Sequence, residues 1–96
     1  MNSKLKDDVT DKLFEAILTL RTVEECYAFF EDLCTVHELK SLAQRLEVAK
    51  MLEGKRTYTE IQQLTGASTA TISRVNRSLS YGSDGYKIIL ERIEQP

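Results

Sequence analysis

Three times in this chain a threonine is followed three residues later by a glutamate, as Thr22-Val23-Glu24-Glu25, Thr35-Val36-His37-Glu38 and Thr57-Tyr58-Thr59-Glu60. In each, the hydroxyl can accept from the backbone N–H of the glutamate while the glutamate side chain reaches back to the start, the reciprocal capping box that opens an α-helix. Three such starts divide most of the chain into separate helices. With one proline and four glycines in 96 residues, little material remains for strands and their turns. The fold class that follows is all-α.

The apolar periodicity fills in the elements. Leu5, Val9, Leu13, Ile17, Leu18 and Leu20 recur near the helical period and predict a first helix. After Thr22, the residues Val23, Cys26, Tyr27, Phe30 and Leu33 line one side of a second. Thr35 opens a third, with Leu39, Leu42, Ala43, Leu46 and Ala49 as its apolar stripe and Gly54 as its left-handed stop. Thr57 and Glu60 open a short fourth helix that buries Ile61 and Leu64 and ends at Gly66. Ser68 caps a fifth, with Ile72, Val75 and Leu79 inward and Ala70, Ser73, Arg74 and Arg77 outward at i, i+3, i+4, i+7 spacing. Beyond the turn Ser80-Tyr81-Gly82-Ser83-Asp84-Gly85, a sixth helix carries Tyr86, Ile89, Leu90 and Ile93.

The length fits a single domain spanning residues 1–96, small enough that a second copy would usefully add buried area. No run of about 18 apolar residues could span a bilayer, and the charged N-terminal stretch lacks the layout of a secretory signal, so a cytoplasmic protein without membrane partners is expected. Cys26 and Cys34 stand too far apart on one helix to bridge and read as buried thiols; with no Cys/His cluster, neither a metal nor another cofactor is expected. His37, beside Glu38 with no second histidine near, reads as a surface residue. No nucleophile, base and orienting group occur together, which argues against an enzyme.

Charge is unevenly distributed. Residues 1–54 carry seven Lys/Arg against eleven Asp/Glu, residues 55–79 carry four against one, and residues 80–96 carry two against three. A locally basic element on an acidic body fits a surface that faces a polyanion. That element is also the one that reads as helix, glycine turn, helix over residues 57–79, the signature of a helix-turn-helix. The small residues Ser68, Thr69 and Ala70 at the start of the fifth helix let its backbone approach base edges in a major groove. Thr69, Ala70 and Ser73 are therefore expected at bases, and Arg74, Arg77, Lys55 and Arg56 at phosphates or guanine. Thr59 lies on the same element, and Gln62 stands where many helix-turn-helix motifs carry a small residue, which leaves it available to double-stranded DNA. The alternative is a helical protein-interaction module that has lost DNA binding.

The segment "LTGASTATISRVNRSL", residues 64–79, together with "CTVHELKSLAQRLEVAKMLEG", residues 34–54, resembles the Trp repressor superfamily, and within it the YerC/YecD branch of Trp-repressor-like proteins, over roughly residues 12–94. The resemblance implies six helices per chain and an intertwined homodimer, with dimerisation helices at about 3–54 and 84–94. It implies a transcriptional regulator, a repressor that acts by occupying its operator. By matching motifs it also implies an effector pocket of Thr35, Arg45, Thr71, Arg74 and Ser78. The residue after the second arginine is glycine in the Trp repressor and Val75 here, and the turn before the fourth helix is one residue shorter. The expected small-molecule effector, if the protein uses one, is therefore not tryptophan, because extra methyl groups in a filled pocket cost about 1–3 kcal/mol or more.

Overall fold

The computed structural model describes residues 4–94, and among them six α-helices and no strands: α1 (Asp8–Ile17), α2 (Val23–Leu33), α3 (Val36–Glu53), α4 (Tyr58–Thr65), α5 (Thr69–Tyr81) and α6 (Gly85–Glu94). The order and number match the reading of the sequence. The chain divides into two compact units between Leu39 and Lys40, inside the first turns of α3.

In the first unit, Asp7 caps α1 by accepting from the Thr10 N–H at 2.7 Å, and that bond holds its carboxyl below the ordinary carboxylate range. The helix is shorter at both ends than the apolar periodicity predicts. Asp7 is extended, which excludes Leu5 and Lys6, and both the N–H and the hydroxyl of Thr19 turn back to the Ala16 carbonyl, closing a tight turn before Leu20. Thr22 caps α2 through the Glu25 N–H at 3.0 Å. The Glu25 carboxylate reaches past it to the Arg21 N–H at 2.7 Å, one residue earlier than the capping box would have it. Neither α1 nor α2 contains a buried residue. Cys26 is accordingly exposed and Cys34 half-buried, not the buried thiols expected, since the helices that carry them enclose no interior. Phe29 and Phe30 meet edge to face at 5.6 Å. At the start of α3 the Thr35–Glu38 box forms in full.

The second unit has a core of its own. Val48, Ala49, Ile61, Ala67, Ile72, Val75 and Leu90 are buried together, with Leu46, Met51, Leu52, Leu79 and Tyr86 packed around them. α5 packs against both α4 and α6. Several stripe residues prove to be exposed: Leu42 on α3, Leu64 on α4, and Ile89 and Ile93 on α6. The buried pair on α3 is Val48 with Ala49, the former outside the predicted stripe.

α3 ends differently from expectation. The Arg56 N–H bonds the Met51 carbonyl and the Lys55 N–H bonds the Leu52 carbonyl, both at 3.0 Å, the paired bonds of a Schellman motif whose left-handed residue is Lys55 at φ 64°. Gly54, one residue earlier, remains outside that region. The hydrogen-bond register, not the glycine, decides which residue turns, so a lysine holds a conformation that disfavours any Cβ.

Candidate nucleic-acid interface

The helix-turn-helix is fixed by bonds that can be followed residue by residue. Thr57 and Glu60 complete a capping box: the hydroxyl accepts from the Glu60 N–H at 3.2 Å and the carboxylate accepts from the Thr57 N–H at 3.1 Å. Those bonds, with a further one from Arg56 at 3.2 Å, hold the Glu60 carboxyl below its ordinary range. α4 closes at Gly66, which is left-handed at φ 74° and donates to the Gln62 carbonyl. A Cβ there would meet nothing within 4 Å, so the glycine is required by backbone conformation and not by space.

The turn is held by residues that the sequence pattern did not single out. The Thr65 hydroxyl donates to the Ile61 carbonyl at 2.7 Å and accepts from the Ala67 N–H at 3.1 Å. Gln44, on α3, donates from Nε2 to the Thr65 carbonyl at 3.1 Å, tying the turn to the longest helix. Ala67 sits in the core beside Ile61 and Ile72. Small size at Ala67 is a signal in the sequence; Gln44 has none, because its partner is 21 residues away.

Ser68 then caps α5. Its hydroxyl accepts from the Thr71 N–H and donates to the Thr71 hydroxyl, each at 3.1 Å. Both groups are thus engaged with each other, and Thr71 is half-buried. Thr69, Ala70, Ser73, Arg74 and Arg77 are all exposed on α5, as are Thr59 and Gln62 on α4 and Lys55 and Arg56 ahead of it. The first turn of α5 contains no acid, which leaves the positive end of its helix dipole uncompensated.

The cations differ from one another. Arg56 is paired with Glu60 at 3.2 Å, whereas Lys55, Arg74 and Arg77 have no acidic partner among the described residues. Three unpaired cations and one paired one are therefore carried by α5 and by the two residues ahead of the helix-turn-helix. The predicted pocket residues are distributed over both units. Thr35 belongs to the first, where its hydroxyl is used by Glu38. In the second unit, Arg45 is half-buried on α3, and Thr71, Arg74 and Ser78 follow one another along one flank of α5. Among the described residues Arg45 has no ion pair, and Glu47, two residues on, lies 3.5 Å from Lys50. A shallow groove of about 620 Å³ opens between α3, α5 and α6, lined by Leu46, Ser78, Gly82, Tyr86 and Ile89 among others. Ser78 reaches it; Arg45, Thr71 and Arg74 do not. Val75 is buried in the same core cluster as Val48 and Ile72. No group of three or more His, Cys, Asp or Glu residues converges among the described residues.

The sequence pattern of the family described as Trp repressor protein matches residues 8–94, nearly the whole chain. This chain belongs to that family. Its relatives include the YerC protein of Bacillus subtilis (strain 168), described as uncharacterised, which is 56% identical over 92 residues covering 96% of this chain and 88% of YerC. Two crystal structures share the fold at 60% identity. One, a candidate Trp repressor from Staphylococcus aureus, superposes with a TM-score of 0.90 over 94% of this chain and 90% of that one. The other, a TrpR-like protein from Eubacterium eligens ATCC 27750, gives 0.91 over 96% and 95%. The Trp repressor family membership and the six-helix fold expected from the motifs are therefore those of this chain.

Proposed function

We propose that this protein is a sequence-specific DNA-binding transcriptional regulator that works as a homodimer and represses by occupying its operator in the cytoplasm. One observation carries the reading. The start of α5 presents small, exposed side chains and no acid, Arg74 and Arg77 follow on the exposed side of the same helix and Lys55 precedes α4, each without an acidic partner among the described residues. Such a surface brings backbone close to base edges while cations meet phosphates on either side. Thr69, Ala70 and Ser73 then read bases, and Arg74, Arg77 and Lys55 grip the backbone. Arg56 contributes less, since Glu60 competes for it. Thr59 and Gln62 on α4 approach the adjoining strand, and Ser68 acts through the cap it makes.

Dimerisation is supported by the first unit, whose helices expose Val9, Phe14, Leu18, Val23 and Tyr27 and bury nothing. Tryptophan is not the effector in this reading. Val75, where the Trp repressor has glycine, fills the core beside the flank that holds Thr71, Arg74 and Ser78, and the Thr35 and Thr71 hydroxyls each already accept a hydrogen bond at a helix start. Any effector held by Arg45 and Arg74 is smaller than an indole or differently shaped.

Selection of duplexes from a random library tests the reading. The wild type is expected to enrich one site, and substitutions at Thr69 and Ser73 to change which bases are preferred, by roughly 1–3 kcal/mol for each lost contact. Enrichment of no site would favour a protein-interaction role instead. Calorimetry with tryptophan is expected to give no saturable heat; saturable binding that tightens the grip on DNA would reverse the assignment.

A further inference from the structure

The exposed side of α5 is two rows, not one. Residues four, seven and eleven apart share a face of a helix, which puts Ala70, Arg74, Arg77 and Tyr81 in one row and Thr69, Ser73, Asn76 and Ser80 in the next. All eight side chains are exposed. The first row is cationic and ends in an aromatic ring. The second is uncharged throughout, and every member can both donate and accept a hydrogen bond. Among the described residues none of those four side chains makes a hydrogen bond within the chain.

Asn76 is a member whose presence folding does not explain, and the one whose side chain is an amide. It lies in the interior of a 13-residue helix, where asparagine is a poor helix former because its side chain competes for backbone groups. It is exposed, stands outside the core and caps nothing. A residue that weakens its helix without a compensating contact belongs where function rather than stability is served. Its amide also differs from its neighbours' hydroxyls. A hydroxyl offers one rotatable donor and is tolerant of its partner, whereas an amide presents a donor and an acceptor in one plane, the arrangement that matches the N6 and N7 edge of adenine.

We infer that Asn76 is a base-reading residue, selecting adenine at one position of each half-site through two hydrogen bonds from its side-chain amide. The inference rests on the reading of α5 as the element that enters the major groove. Thr69 to Asn76 spans about 10 Å of helix, two turns, so a helix lying along the groove brings all three of Thr69, Ser73 and Asn76 to successive base edges while Arg74 and Arg77, beyond Ala70 in the next row, face the phosphates. The specificity surface therefore extends a full turn past the small residues at the helix start.

The test is a duplex selection with the wild type, Asn76→Ala and Asn76→Asp, read position by position, together with thermal unfolding of each. Alanine is the better helix former, so Asn76→Ala should fold at least as stably as the wild type and any change in recognition is then not a loss of structure. The expected result is that the wild type selects adenine at one position per half-site and that Asn76→Ala loses that preference by about tenfold while the other positions keep theirs. Asn76→Asp, which can accept but not donate, should shift the preference away from adenine toward cytosine, whose amino group is a donor. An unchanged preference at every position in both variants, with the wild type still selecting its site, would overturn the inference and leave the proposed function standing. A wild type that selects no duplex would overturn both.

Discussion

The two compact units of this chain use their apolar residues in opposite ways. Among the described residues the second unit encloses seven buried side chains, while α1 and α2 enclose none, and Val9 in α1 and Leu18 just after it are about four-fifths exposed at 78% and 83%. Both segments have comparable helical patterning, so hydrophobicity alone does not determine which one closes a core. In the second unit the turns at Gly66 and at Gly82 to Asp84 let α5 pack against both α4 and α6, so that each apolar face meets another helix. In the first, neither α1 nor α2 buries a residue. An element that cannot bury its own face takes that cover from outside, and in this account a second copy supplies it.

The largest effects should separate the units most clearly. Ile61→Ala removes a fully buried side chain from the self-sufficient unit and is expected to lower stability by about 2–5 kcal/mol, measured by denaturant unfolding. A loss well under about 1 kcal/mol would mean that this core is not the source of stability. Phe14→Asp changes a residue 54% exposed in a single chain, where surface substitutions ordinarily cost little. The expectation here is instead a loss of dimer by about 2 kcal/mol or more, seen in sedimentation as a shift toward monomer. A wild type that already sediments as a monomer would break the comparison at its root.

A smaller effect tests what the second unit keeps at its outer surface despite folding cost. Lys55 holds a left-handed backbone that glycine adopts without strain, so Lys55→Gly should raise stability by up to about 1 kcal/mol. It should also weaken DNA binding, because the same residue is one of the unpaired cations at the helix-turn-helix. Gains in both stability and affinity would show that Lys55 is not a DNA contact.

The parts of this structure that were legible in the sequence are those governed by residues three or four apart. The caps at Thr22, Thr35, Thr57 and Ser68 form with their expected backbone donors, and Gly66 turns left-handed as its place after α4 requires. Most of what escaped depends on partners far along the chain, and the rest on which of two adjacent residues a local turn selects. Leu64, Ile89 and Ile93 keep the period of buried residues yet are exposed, since nothing in a helical period states how many neighbours will cover the face. Gly54 had the composition of a helix stop, but the Schellman bonds selected Lys55. The Gln44 to Thr65 bond, which braces the turn of the candidate site, joins residues on separate helices and leaves no local trace. At the site, spacing was enough to gather Thr69, Ser73, Arg74 and Arg77 on exposed faces of α5, while Glu60 proves to serve both the Thr57 cap and Arg56, so that Arg56 is paired although the local charge balance is positive.

Whether α5 grips DNA through its arginine row is tested most directly by measuring duplex affinity against salt concentration for the wild type and Arg77→Ala. Each phosphate neutralised by a side chain releases counterions, so the logarithm of the binding constant should fall steeply and linearly with the logarithm of salt. Arg77→Ala should weaken binding to preferred and unrelated duplexes alike and reduce the slope by about one. A wild-type affinity indifferent to salt, or an Arg77→Ala slope equal to that of the wild type, would contradict it.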